Sequence, residues 1–241
     1  KPIILLTKFS TRISTMIIRK IKIFLLFLKT VNSYGIINST KIFFFELIGL
    51  IYLRDLQSLN YDDDDTSSYI DTKQTKKYNV PYIPTPYYFL YLIKKNLLKS
   101  SIKKINLIDI GCGYCRPAKY FDRKFNVKFA GIELSKTIAK DVSKKKIRNF
   151  KIYNFNLRNI KKTDLFFKKN LKSNIDNIIL ISDTVEIDLI NKVINKLKKK
   201  RIILILINIK FSALKLTKFR KKKKIIFKKQ SRNIIFLNNH Y

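Results

Sequence analysis

The stretch INLIDIGCGYCRPAKYF (residues 105–121) constrains the fold of this chain more than any other part of it. An apolar, β-branched run ends in Asp109, Gly111 and Gly113 follow in a tight turn, and a helical pattern begins after Pro117. A strand that passes through a glycine turn into a helix is a building unit of a parallel α/β sheet, with the turn at the carboxyl end of the strand. A bare backbone there brings N–H groups close to a ligand, and Asp109 is placed to take up an ammonium group. Twenty-four residues after Asp109 the next apolar run ends in Glu133, within GIELS (131–135), a position suited to hold both hydroxyls of a ribose. Only five of the 241 residues are glycine, and three of them (Gly111, Gly113 and Gly131) fall in this constellation.

Around it the chain divides into three parts. Residues 1–60 read as a basic, strongly apolar helical extension, broken near VNSYGIINST (31–40) where Asn, Ser and Gly cluster. Residues 61–79 lack apolar periodicity and concentrate acid, Ser and Thr, which marks a linker; the consecutive carboxylates Asp62 to Asp65 read as facing water. Residues 80–241 alternate helical and β-branched segments. The pattern predicts helices over 86–99, 135–146 and 186–197, and strands over 105–110, 127–133, 150–155, 177–182 and 202–208. A hairpin over 225–238 closes the domain. The expected class is α/β, a Rossmann-like sheet of seven strands behind a helical basic N-terminal extension. No run reaches the eighteen or so apolar residues of a membrane span.

LIDIGCGYCR followed by FAGIELSKTIA resembles the D-x-G-x-G-x-G segment and following acidic strand of class I S-adenosylmethionine-dependent methyltransferases. VPYIPTPYYFLYLI (80–93) is similar to the Y-x-P-T-P segment that precedes it in a bacterial subgroup and in the ATP synthase c-subunit lysine methyltransferase family. Together the matches span about residues 80–160. The resemblance implies the seven-stranded sheet of that family and S-adenosylmethionine as cofactor. It implies that Asp109, Gly111, Gly113 and Glu133 line the cofactor site, with Thr85 near the methionine end. Asn156 is the nearest match to the acidic residue that often meets the adenine amine.

The departures from the family pattern matter as much. Cys115 stands at the third glycine, where a side chain is expected to crowd the helix start against the cofactor or strand. After the fourth strand the chain reads SDTVEID (182–188), which carries neither the Asn/Asp-Pro-Pro-Tyr segment of amino methyltransferases nor the Pro-Cys pair of cytosine-directed ones. Asp183 and Glu186 are available carboxylates, equally explained as surface residues, so no catalytic residue is assigned. Cys112 and Cys115 form a C-x-x-C that overlaps the glycine turn. With His240 the sole histidine, a metal site would need a partner's ligands; the coincidental reading outweighs a redox pair.

A formal charge of +36 on 28.6 kDa is self-repelling unless the chain lies against a polyanion. Of 52 basic residues only ten are arginine, the balance that AT-rich codons favour, which weakens the inference from charge. RNA is the expected partner, through counterion release at phosphates; an anionic membrane surface comes second. Residues 189–241 hold seventeen Lys or Arg and no acid. Within them Arg220, Lys221, Lys222, Lys223, Lys224, Lys228, Lys229 and Arg232 are the expected phosphate contacts. The first twenty-four residues are acid-free and Ser/Thr-bearing like a transit peptide, although an intact basic arm would look the same; the expected location is the mitochondrial matrix. The expectation is therefore a degenerate methyltransferase fold in an organellar ribosome, contacting rRNA and neighbouring proteins. The alternative is an active methyltransferase of RNA or protein lysine.

Overall fold

Strands that are apolar at nearly every position need cover on both faces. The computed structural model supplies it with helices on either side of one sheet. It describes residues 25, 27–28, 30–52, 85–98, 104–122, 126–144, 149–172, 175–182, 185–197, 201–209, 212, 214–215, 219–227 and 232–239. The segments 1–24 and 61–79, with Asp62 to Asp65, lie outside the described residues. So do the first half of the Y-x-P-T-P segment, Asp183, Lys228, Lys229 and His240.

Five strands run parallel: β1 (Lys104–Ile110), β2 (Asn126–Glu133), β3 (Phe150–Asn154), β4 (Asp176–Ser182) and β5 (Ile202–Ile207). β6 (Arg220–Ile226) and β7 (Asn233–Asn238) form the closing hairpin, and β7 inserts antiparallel between β5 and β6. The order is β3-β2-β1-β4-β5-β7-β6. This is the sheet of the class I methyltransferase fold, so the expected architecture is the observed one. The chain winds outward from β1 to β3, then returns to β4 on the other side of β1. The carboxyl ends of β1 and β4 therefore flank the switch point where open α/β sheets bind ligands.

The helices are α1 (Ile36–Tyr52), α2 (Tyr87–Leu98), α3 (Arg116–Asp122), α4 (Lys136–Lys144), α5 (Ile160–Asn170) and α6 (Ile187–Lys196). On one face of the sheet Leu107, Phe129, Leu180 and Phe236 pack with Phe89, Ile93, Phe121 and Val142 of α2 to α4. On the other, Ile108, Ile132, Ile179 and Leu204 pack with Phe166, Phe167, Ile190 and Ile194 of α5 and α6. α5 was not expected from the sequence. Its cap is clear, since the Asn159 side chain accepts a hydrogen bond from the Lys162 N–H, and Thr163, Phe166 and Phe167 are buried. Ile160 and Leu165 point to solvent, however, and blur the apolar stripe that would announce a helix.

Two boundaries also move. The hairpin begins at Arg220 rather than 225, because the lysine run is itself the edge strand, with an irregularity between Lys221 and Lys223. Charged residues suit an edge strand that has no further neighbour. The expected break over 31–40 contracts to Gly35, at φ 80°, with helical residues on both sides.

α1 packs against α2 and shares the core of the sheet domain. Ser39, Ile42, Glu46 and Gly49 form its buried stripe at helical spacing. Just before it, Tyr34 meets Phe89 and Phe227 edge-on, and those two rings stack at 4.7 Å. Its opposite face leaves Ile37, Phe44, Leu47 and Ile51 exposed. Among the described residues no helix is long and apolar enough to cross a membrane.

At the amino ends of the central strands, a fully buried Asn177 ties four segments together. Its Oδ1 accepts from Asn106 Nδ2 (2.8 Å) and the Lys172 N–H (2.9 Å), and its Nδ2 donates to the carbonyls of Lys172 (2.7 Å) and Arg201 (3.0 Å). Asn177→Ala strands those partners in the interior and is expected to lower the unfolding free energy by about 3 kcal/mol. Urea denaturation measures this, and ligand binding at the far end of the strands should be unchanged in the folded variant.

Candidate functional site

The glycine turn is held by its own hydrogen bonds. The Gly111 and Cys112 N–H groups both donate to the Ile132 carbonyl at the end of β2 (2.9 and 3.0 Å). The Gly113 N–H donates to Glu133 Oε2 (2.8 Å), and the Cys115 N–H donates to the Cys112 carbonyl (2.8 Å). The amides of 111, 112, 113 and 115 are thus already engaged. This corrects the expectation that amides of the turn meet a ligand directly. What the turn offers is an exposed bare backbone at Gly111 and the carboxyl groups beside it.

Its backbone alternates through the left-handed region, with φ 77° at Gly111, 50° at Gly113 and 60° at Cys115. A side chain at such a position costs about 1 kcal/mol relative to glycine. Cys115 nevertheless adopts it, and its side chain turns into the core, fully buried, with Sγ 3.5 Å from the Gly113 carbonyl. The crowding expected from the missing third glycine does not occur, because the thiol leaves by the core side. Cys112 is buried too, and burial pushes both thiols upward in pKa. A redox pair needs a stabilised thiolate, and this environment works against one.

Gly131 is bare for a different reason. It pairs with Asp109 across β1 and β2, and a Cβ there would stand 2.5 Å from Cys112 Sγ and 3.2 Å from a Phe129 ring carbon. Its missing side chain makes the room that Cys112 occupies.

Asp109 and Glu133 come together at the carboxyl ends of β1 and β2, both buried. Glu133 also accepts from the Ser135 N–H through Oε1 (2.8 Å), so its two oxygens tie the turn after β1 to the loop after β2. Burial raises its pKa, while the Ser135 and Gly113 N–H groups pull it back. Asp109 has no such relief. Among the described residues none donates a hydrogen bond to its carboxyl, and burial followed by the nearby Glu133 charge pushes it up to about 8. A buried carboxyl without a donor is costly unless a cation completes it.

Thr85 is half-buried, and its carbonyl lies 3.4 Å from Arg116 Nη1, next to the turn. Asn156 lies beyond the end of β3, where its Oδ1 accepts from the Arg158 N–H (2.9 Å) and shapes its own loop. The residue that reaches the β2 end is Asn154, whose Nδ2 donates to the Glu133 and Leu134 carbonyls (2.9 and 3.0 Å). Sequence reasoning also missed Arg116 and Glu46, buried partners at 3.0 Å. The available signal was Glu46 itself, the sole acid in the first 54 residues and set within an apolar helix.

The basic candidates sit elsewhere. Arg220 to Lys224 form β6 at the sheet edge, four strands from β1 and so about 19 Å away. Lys223 is exposed and donates to Asn96 Oδ1 (2.6 Å), Lys224 is half-buried, and the Arg232 guanidinium lies over the Tyr34 ring at 5.6 Å. Among the described residues no cluster of three His, Cys, Asp or Glu is placed to hold a metal ion.

No protein-family model matches the sequence, and no curated protein matches it. Among solved structures, the Escherichia coli protein yhhF, named as a methyltransferase, aligns with a TM-score of 0.48 at 12% identity over 67% of this chain and 90% of its own. A point mutant of MtNAS in complex with S-adenosylmethionine aligns at 0.46 and 11%, over 85% of this chain and 90% of its own. A Staphylococcus aureus protein named as a caffeoyl-CoA O-methyltransferase aligns at 0.45 and 12%, over 79% and 99%.

Gly131→Ala is expected to lower the unfolding free energy by about 2 kcal/mol through overpacking. Adding Cys112→Gly should return most of that loss, and a double-mutant cycle by thermal unfolding reads the coupling. Asp109→Asn is expected to stabilise the protein by about 2–4 kcal/mol at pH 8 and by almost nothing at pH 4. The sign follows from the raised carboxyl, which binds its proton more tightly folded than unfolded, so the parent loses stability as pH rises from about 4 to about 8. Unfolding curves at the two pH values measure it.

Proposed function

We propose that this chain binds S-adenosylmethionine at the carboxyl ends of β1 and β2 and acts as a methyltransferase domain. The observation that carries the reading is the buried Asp109 carboxyl, held beside Glu133 with no donor among the described residues. An α-ammonium group supplies the charge and the hydrogen bonds that this carboxyl lacks. Glu133 keeps lone pairs beyond those taken by Gly113 and Ser135, enough for a ribose diol. When bound, S-adenosylmethionine supplies an electrophilic methyl group; the protein's part is to hold, orient and shield it. The turn keeps its left-handed conformation through Cys115, which favours a working pocket over a degenerate one. This reverses the order in which the sequence alone ranked the two.

Calorimetry is expected to give micromolar affinity for S-adenosylmethionine, lost in Asp109→Ala. Because an ionised carboxylate pairs with a protonated ammonium group, affinity should rise about tenfold per pH unit between pH 6 and about 7 and turn over near pH 8, where the ligand's own amine loses its proton, with about one proton released per ligand at pH 7. Titration in two buffers of different ionisation enthalpy reads the proton. Absence of binding at pH 8 would sink this reading.

A second reading rests on the basic edge strand and the acid-free residues after Asp188. In it the chain lies on RNA, as substrate or as rRNA within a mitochondrial ribosome, with the exposed stripe of α1 against a neighbouring protein or a membrane surface. The span of about 19 Å from β6 to β1 is about three nucleotides of extended strand, short enough for RNA held at the edge to reach the pocket. Co-sedimentation with ribosomal particles, lost as salt rises from 50 to 300 mM, is the expected result. Flotation with anionic vesicles and indifference to RNA would count against it.

A further inference from the structure

Three segments meet at one buried node beside the glycine turn. Glu46, in the middle of α1, presents one carboxylate oxygen to Arg116 Nη1 (Oε2, 3.0 Å) and the other to the Tyr87 N–H at the start of α2 (Oε1, 2.8 Å). Arg116, the first residue of α3, carries the same Nη1 to the Thr85 carbonyl (3.4 Å), and its guanidinium lies 4.8 Å over the Tyr87 ring. Glu46, Tyr87 and Arg116 are each about 1% exposed. An ion pair so deep costs several kcal/mol of desolvation per ion, repaid only by good geometry and further hydrogen bonds. It is therefore weak as a stabilising device and strong as a positioning one. Packing alone would have been met by a leucine.

We propose that Glu46 is a positioning residue of the cofactor pocket, acting through Arg116 and the Tyr87 amide. Arg116 follows directly on Cys115, the last left-handed residue of the turn, so wherever its guanidinium is held the end of the turn is held. Thr85 and Pro86 are drawn against that same point from the other side. α1 thus ties the end of the glycine turn to the start of α2, and docking of α1 and binding of S-adenosylmethionine are coupled. This inference rests on the reading of the pocket given above.

The test is calorimetric titration of S-adenosylmethionine into the wild-type chain, Glu46→Gln, Arg116→Leu, the double variant, and Ile42→Ala. Ile42 is buried on the same face of α1 and its side chain carries no polar atom, so its loss reports on α1 docking alone. Each single node variant is expected to weaken affinity at least tenfold, and the double variant no further than the worse single, because the two act as a unit. Ile42→Ala should weaken it less than threefold at an equal or larger drop in Tm. In wild type, amides of 36–52 should exchange more slowly with S-adenosylmethionine bound, and in Glu46→Gln this protection should vanish. Where Glu46→Gln does not fold, Arg116→Lys replaces it, keeping the charge and losing the planar guanidinium over the Tyr87 ring; it is expected to cost at least threefold. Wild-type binding with Glu46→Gln (or its replacement) unchanged, or with losses that merely track Tm across all variants, overturns the positioning role and leaves the pocket intact. No binding by the wild-type chain at pH 8 overturns both.

Discussion

The carboxylate of Glu133 joins what the rest of the site depends on. It is the last residue of β2, and its two oxygens are spent on the Gly113 amide, which belongs to the turn after β1, and on the Ser135 amide at the head of α4. Two adjacent strands of a parallel sheet are locked together by their ladder, which reaches into the turn only as far as the Gly111 and Cys112 amides on the Ile132 carbonyl. One charged acceptor with two backbone donors extends the tie beyond that point, at about twice the strength of a neutral pair. The turn can then hold three left-handed residues in five, one of them a cysteine, because its ends are fixed from outside.

The domain buries acidic groups in two different ways. Glu46 has its cation and its amide, and ends fully matched. Asp109, one strand residue from the turn and close to a second carboxyl, has neither among the described residues. The same low dielectric that makes the first pair rigid makes the second site hungry for positive charge. The contrast between a matched acid behind the turn and an unmatched one in front of it gives the pocket a direction. The matched acid lies toward the first described helix and the unmatched one toward the carboxyl ends of the strands.

Much of this was legible in the sequence. Continuous β-branched runs with helical segments between them identify a parallel sheet, and Asp109, Gly111, Gly113 and Glu133 fall where their spacing places them. The parts that were not legible share a cause: they depend on neighbours distant in sequence. α5 escaped because Ile160 and Leu165 face solvent, so apolar residues on it do not trace one stripe. β6 escaped because five consecutive basic residues read as a solvated run, and only the pairing with β7 makes them a strand. Arg116 read as one basic residue among 52, and nothing local says that Glu46, seventy residues earlier, lies against it. Cys115 was misjudged in the opposite direction. Its left-handed backbone is a cost that sequence rules flag, but the outlet for its side chain into the core is a property of the packed domain.

The contact between Gly131 and Cys112 has a consequence for how such a chain changes over time. The two positions cannot vary in either order. A side chain gained at 131 meets the sulfur at 2.5 Å, so that step is closed while Cys112 stands. Trimming Cys112 first opens a small void, a tolerable loss, and only then is position 131 released. The route is a ratchet with one permitted sequence of steps. In a genome whose drift removes glycine codons, such a barrier by itself holds Gly131 in place, with no help from any ligand.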